Sequence, residues 1–160
     1  MQRSLTMLCL LGSLAACSGW HLQGALDLPP DLRSVRVTGG EELTRDALLV
    51  DLTQAGLTLS AAGDPDLLLV IHDDVAGERM VSVTASGRPN EFEVFRVLEF
   101  SAARAGQLLL DHRRIELTAD YSYSSIDVLA RQLEAQELAD SLDVRVRQQL
   151  LREVRQAVAQ

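Results

Sequence analysis

A chain of 160 residues with 47% apolar side chains is one domain's worth of sequence, with enough to bury a moderate core. Its formal charge is −8, and all fifteen basic residues are arginine. Such an acidic chain is excluded as a general binder of nucleic acid or anionic membranes, although a local arginine patch remains open. The two cysteines, Cys9 and Cys17, both lie near the start, so the body of the chain has none for a disulfide or redox pair.

The first sixteen residues form a signal. Arg3 precedes an apolar run, Leu5 to Leu14, too short for a bilayer core of about 30 Å. Leu14-Ala15-Ala16-Cys17 matches a bacterial lipobox at all four positions, where a plain secretory signal with a chance cysteine would not be expected to. Cleavage before Cys17 makes it the lipidated first residue of a 144-residue mature chain of charge −9, since Arg3 leaves with the signal. Several acyl chains on one cysteine amount to a permanent anchor. Ser18, rather than Asp, resembles the outer-membrane sorting pattern of diderm bacteria.

Residues 17–32 are a lipidated N-terminus and linker, with Pro29-Pro30 blocking regular structure. Residues 33–160 form one domain. Arg33 to Thr38 alternates weakly and is a strand, ended by Gly39-Gly40. Glu41 to Ala55 is a helix with Leu43, Ala47, Leu49 and Val50 as its apolar spacing, acidic in the first turn and stopped by Gly56. Thr58 to Asp66 is a loop. Leu67 to Ile71 begins a strand that continues through His72 to Thr84, with a bulge or bend expected near Gly77. Ser86 to Asn90 is a turn. The next strand carries Phe92, Val94, Arg96, Leu98 and Phe100 on one face, with Glu91, Glu93 and Glu99 on the other. After a turn at Ala103–Gly106 the last strand sets Leu109, Ile115, Leu117, Ala119, Tyr121 and Tyr123 against Arg114, Glu116, Thr118 and Asp120. Ser124 and Asp127 are spaced like a capping box. They open a long amphipathic helix through Leu129, Leu133, Leu138, Leu142, Val146, Leu150, Val154 and Val158, with a bend expected near Asp140-Ser141. The order β-α-β-β-β-α predicts an α+β fold, a four-stranded mixed or antiparallel sheet with two helices on one face.

Catalytic signatures are missing from the text. There is no nucleophile elbow, P-loop or His-Glu-x-x-His helix, and Ser82, Ser86 and Ser101 have no histidine near them in sequence. His21, His72 and His112 are too far apart for a metal-ligand spacing. Glu41-Glu42 and Asp73-Asp74 fit a helix start and a turn better than acid/base pairs. Asp111-His112-Arg113-Arg114 fits a solvent-facing strand paired with glutamates, or a small cationic contact. Tyr121 and Tyr123 fit core packing under the long helix, or a partner-facing rim. No catalytic residue, metal or cofactor is expected.

Cys17-Ser18-Gly19-Trp20-His21-Leu22-Gln23-Gly24, then Pro29-Pro30, the strand-helix pair, the hairpins and the closing amphipathic helix, resemble the lipopolysaccharide-assembly outer-membrane lipoproteins (LptE). The layout covers the whole mature chain. Its locally specific motif departs from the family at Ser18 and at Gln23, where arginine is usual. The resemblance implies a lipid-anchored, non-enzymatic partner of the LptD β-barrel, on the periplasmic side and within the barrel lumen, helping to place lipopolysaccharide in the outer leaflet. It also implies direct glycolipid contact at Arg131, within Leu129-Ala130-Arg131, and at Arg88 in the turn before the third strand; Arg131 fits an ordinary exposed helix arginine equally well. Two alternatives stay open: an auxiliary lipoprotein of a lipid-transporting ABC system, and a lipid-anchored hydrolase with a serine or carboxylate beside His72 or His112.

Overall fold

The computed structural model describes residues 28–122 and 128–159; the signal, Cys17, Tyr123 and the Ser124–Asp127 capping box lie outside them. The elements are β1 (Ser34–Gly39), α1 (Glu42–Gln54), β2 (Thr58–Leu59), β3 (Leu67–Val83), β4 (Pro89–Arg104), β5 (Gln107–Ser122) and α2 (Val128–Val158). One sheet has the order β2-β1-β3-β4-β5, with β1 parallel to both its neighbours and the other pairs antiparallel.

The sheet therefore has five strands rather than four. The fifth, β2, lies inside the span expected to be a loop. Both its side chains are exposed, so it has no burial pattern to signal it. It is held by backbone bonds from Thr58 to Arg33 and from Ser60 to Val35.

Both helices cover the same face. Val35, Val37, Leu67, Leu69, Ile71, Leu98, Phe100 and Ile115 meet Leu48 and Leu52 of α1 and Val146, Leu150 and Val154 of α2 in one core. The chain turns out of α1 at Gly56 (φ +94°). There Leu57 N–H reaches Leu52 O and Gly56 N–H reaches Thr53 O, a Schellman closure with both leucines buried.

The face of α1 differs from the expected one. Thr44, Leu48 and Leu52 are buried, whereas Leu43 is 85% exposed and Val50 is exposed. The rotation of α1 is set by a polar tie. Arg96 of β4, buried on the helix face, reaches Asp74 Oδ1 of β3 at 2.5 Å, Asp143 Oδ1 of α2 at 2.6 Å and Thr44 Oγ1 of α1 at 2.7 Å. The other oxygen of Asp74 accepts Glu41 N–H at 2.8 Å. It thus places an anion at the N-terminus of α1, where Glu41 makes no side-chain cap bond.

α2 runs unbroken through Asp140-Ser141, without the expected bend. Its row Leu142, Val146, Leu150, Val154 and Val158 is buried, but Leu129 and Leu133 are exposed. The five-residue step from Leu133 to Leu138 rotates the row by about 140° at 3.6 residues per turn, which carries the first two leucines off the sheet. Gly77 is not the site of a bend either. It pairs regularly with Phe95, and an added Cβ would sit 2.7 Å from that ring. The glycine leaves room for the aromatic, and the irregularities of β3 fall beside His72 and Val81 instead.

Removing Arg96 leaves two carboxylates, one of them fully enclosed, without their cation. Arg96→Ala should therefore cost about 3–5 kcal/mol in urea unfolding, comparable with the roughly 2–5 kcal/mol expected for Leu142→Ala. A loss below that of an exposed arginine such as Arg114 would refute the tie.

Candidate functional site

Past Arg96 the sheet outruns α1, and only the first half of α2 lies above it. There α2 presents Ala135 and Ala139, which are too small to fill the gap. The result is a groove of about 560 Å³ with Ala76, Tyr121, Arg131 and Gln132 on its walls and Arg96 with Asp143 at its inner end. Under it a small second core joins Val94, Tyr121 and Leu142.

Arg131 stands in this groove, its guanidinium 5.9 Å from the centre of the Phe92 ring, which in turn stacks on Tyr121 at 5.7 Å. The half-buried arginine is thus placed by an aromatic pair rather than left as a loose surface side chain. Tyr121 is buried beneath α2, as the core reading expects. Burial first, then its bond to Glu78 and that carboxylate's charge, push its hydroxyl up to about 12. Chemically the groove offers small apolar walls, the Arg131 guanidinium and the carboxylates of Glu78 and Asp143.

Arg88 lies elsewhere. It is exposed in the β3–β4 turn, where its N–H donates to Thr84 Oγ1 and its carbonyl accepts from Thr84 N–H. Four residues, roughly 13 Å of strand, separate it from Phe92, and it does not line the groove. The two arginines implied by the resemblance share one end of the molecule but not one cavity.

On the opposite face of the sheet the structure gathers a cluster the sequence did not show. Register shifts in the β3–β4 and β4–β5 pairs coincide at one level. They bring His72 Nε2 to 2.7 Å from Ser101 Oγ, and His112 N–H to 3.1 Å from the same oxygen. The two imidazoles stack at 4.2 Å, and His112 Nδ1 meets Glu99 Oε1 at 2.5 Å. His112 adopts φ +44° to do so, a left-handed backbone unusual outside glycine. A serine beside a histidine is what a hydrolase would need, yet Ser101 is only 7% exposed and already engaged on two sides. The cluster works as a clasp across β3, β4 and β5. Among the described residues no group of three histidines, cysteines or carboxylates could hold a metal ion. Beside it on that face Arg114 bonds Glu116 of its own strand, whereas Arg113, opposite Phe100, lies on the helix face and bonds Glu153 of α2.

The bond to Glu99 holds the His112 imidazole above its ordinary 6.5, and the same bond holds Glu99 below its ordinary 4.5. A raised histidine contributes stability fully below 6.5 and loses it as pH climbs through its shifted value. A lowered carboxylate contributes above 4.5 and loses it as pH falls through its own. The pair therefore stabilises most between pH 4.5 and 6.5. NMR titration should place His112 above 6.5 and Glu99→Gln should bring it back down; a His112 that titrates unchanged in Glu99→Gln would remove the ion pair from the account.

No family model matches the sequence, and no curated protein does. Solved structures do. The fold is similar to that of a lipoprotein B of Nitrosomonas europaea, with TM-score 0.71 and 23% identity over 86% of this chain and 90% of that one. It is also similar to the rare lipoprotein B of Shewanella oneidensis, with TM-score 0.64 and 20% identity over 76% and 93%. A minor lipoprotein of Acinetobacter baumannii superposes with TM-score 0.60 and 18% identity over 79% and 91%. At these identities the likeness is one of fold.

Proposed function

We propose that the chain is an LptE-like lipoprotein of the outer membrane, anchored through Cys17, whose domain enters an LptD-like β-barrel and assists the assembly of lipopolysaccharide. The observation that carries this reading is the fold shared with three bacterial lipoproteins, two of them named lipoprotein B. The lipobox and the Cys17-Ser18-Gly19-Trp20-His21-Leu22 run stand at the head of the same chain. The sheet face opposite the two helices supports it further. That face carries charges of both signs, paired as Arg79–Glu93 and Arg114–Glu116, and suits the polar lumen of a large barrel. The role needs no catalytic centre. In a chain of net charge −9 after processing, glycolipid contact is local, and Arg131 over its aromatic pair is the best-built place for a phosphate, with Arg88 a second cation on the same end.

Two experiments test this. Mild-detergent purification of the tagged, lipidated protein from its native membrane should bring down a large β-barrel protein in near-equal amount. Recovery with an inner-membrane transporter would favour the auxiliary lipoprotein instead, and recovery alone would count against any stable assembly. Separately, Cys17→Ala should release the chain into the soluble periplasm with an unchanged circular dichroism spectrum, since the described core begins at Leu28 and Leu32, well after Cys17; a released but unfolded chain would show that anchor and fold are coupled.

A further inference from the structure

The sheet has two very unequal edges. One is the two-residue β2, and the other is the full length of β5. From Arg113 to Ser122 β5 pairs with β4 without a register shift. Half of its N–H and C=O groups therefore point away from β4 along a regular edge, which among the described residues carries no strand. A regular edge of this length is a template for another strand.

We infer that this edge pairs with the same edge of a second copy of the chain, antiparallel, about a two-fold axis through Leu117. Directly opposed residues of an antiparallel pair share a face, so each register makes a definite set of neighbours. The axis through Leu117 sets Arg114 opposite Asp120, twice, and Glu116 opposite Thr118, twice. On the helix face it sets Ile115 opposite Ala119 and Leu117 opposite itself, which continues the apolar surface of the sheet. The neighbouring registers fail. Axes through Arg114, Glu116 or Asp120 place a charge against its own copy. An axis through Thr118 opposes Glu116 to Asp120, and one through Ala119 makes no charge pair. An axis through Ile115 pairs Arg114 with Glu116, but its ladder stops at Arg113 because the next residues lie in the β5 irregularity at Asp111–His112.

Charges on an edge ordinarily discourage pairing. Here both signs occur at positions related by one two-fold, so they discourage every register but that one. The present partner of Arg114 is Glu116 on its own strand, a pair about half exposed on both sides and so held weakly enough to exchange. α2 packs over both β4 and β5, so the axis would lay the two α2 helices side by side at roughly the 8–10 Å of packed helices. The inference concerns the chain outside a barrel, because a domain enclosed in a lumen cannot offer this edge to a second copy; its failure and the failure of the barrel reading are read out by separate experiments.

Sedimentation equilibrium on the full mature chain carrying Cys17→Ala, its fold checked by circular dichroism, tests it. A reversible dimer is expected. Arg114→Asp should weaken it about tenfold or more, as should Asp120→Arg, because each turns two attractive pairs into repulsive ones. The double variant Arg114→Asp/Asp120→Arg should restore the original association. A monomer at every concentration would overturn the inference, as would a dimer indifferent to the single changes or one that the double change fails to rescue.

Discussion

Arg96 is a cation in a row of β4 that otherwise reads Val94, Leu98 and Phe100, and both helices are docked through it. Taking a guanidinium out of water is costly unless its donors are met. Here they are met by three groups on three elements, Asp74 on β3, Thr44 on α1 and Asp143 on α2. Charge-assisted hydrogen bonds from a guanidinium fork add directional specificity to the apolar packing of a helix. The tie explains why Thr44 is buried while Leu43, one position away, is not. It also explains why α1 begins where it does, since the second oxygen of Asp74 serves the first turn of that helix.

The same residue divides the molecule. On one side lies the main core, closed by α1 and the second half of α2. On the other lies the smaller cluster of Val94, Tyr121 and Leu142, roofed by the alanines of the first half of α2. The buried ion cluster narrows the apolar interior, which continues past it only through Leu117 to the smaller cluster, and an open groove follows. The place that offers Arg131 is in this sense a consequence of where the buried charge sits.

The opposite face follows a different logic. Among the described residues no helix covers it, and its irregularities are fixed by side chains of the sheet itself. The clasp of His72, Ser101, His112 and Glu99 fastens three strands at one level. Farther out, Phe95 lies over Gly77 and takes the Arg79 guanidinium at 5.3 Å. A sheet pinned in this way is a stiff polar surface, a property that both a lumenal plug and an edge-paired dimer would use.

Much of this was legible in the chain. Alternation placed Phe92 to Phe100 correctly, Arg96 included. The spacing from Leu142 to Val158 marked the buried row of α2, and Gly56 marked the stop of α1. These signals are local: period two, period 3.6 and a backbone position that favours glycine each declare themselves within a few residues. What only the tertiary structure decided involves partners far apart in sequence. β2 exists only because β1 lies beside it. The buried face of α1 follows Leu48 and Leu52 rather than Leu43, Ala47 and Val50, and it is joined to Arg96 through Thr44, 52 residues away. Ser101 found His72 across 29 residues because coincident irregularities in neighbouring strands changed which side chains share a face, and a period-two reading cannot register an extra residue. Local pattern thus determined which elements form, and long-range hydrogen bonds to buried charge decided how they are turned and what they bring together.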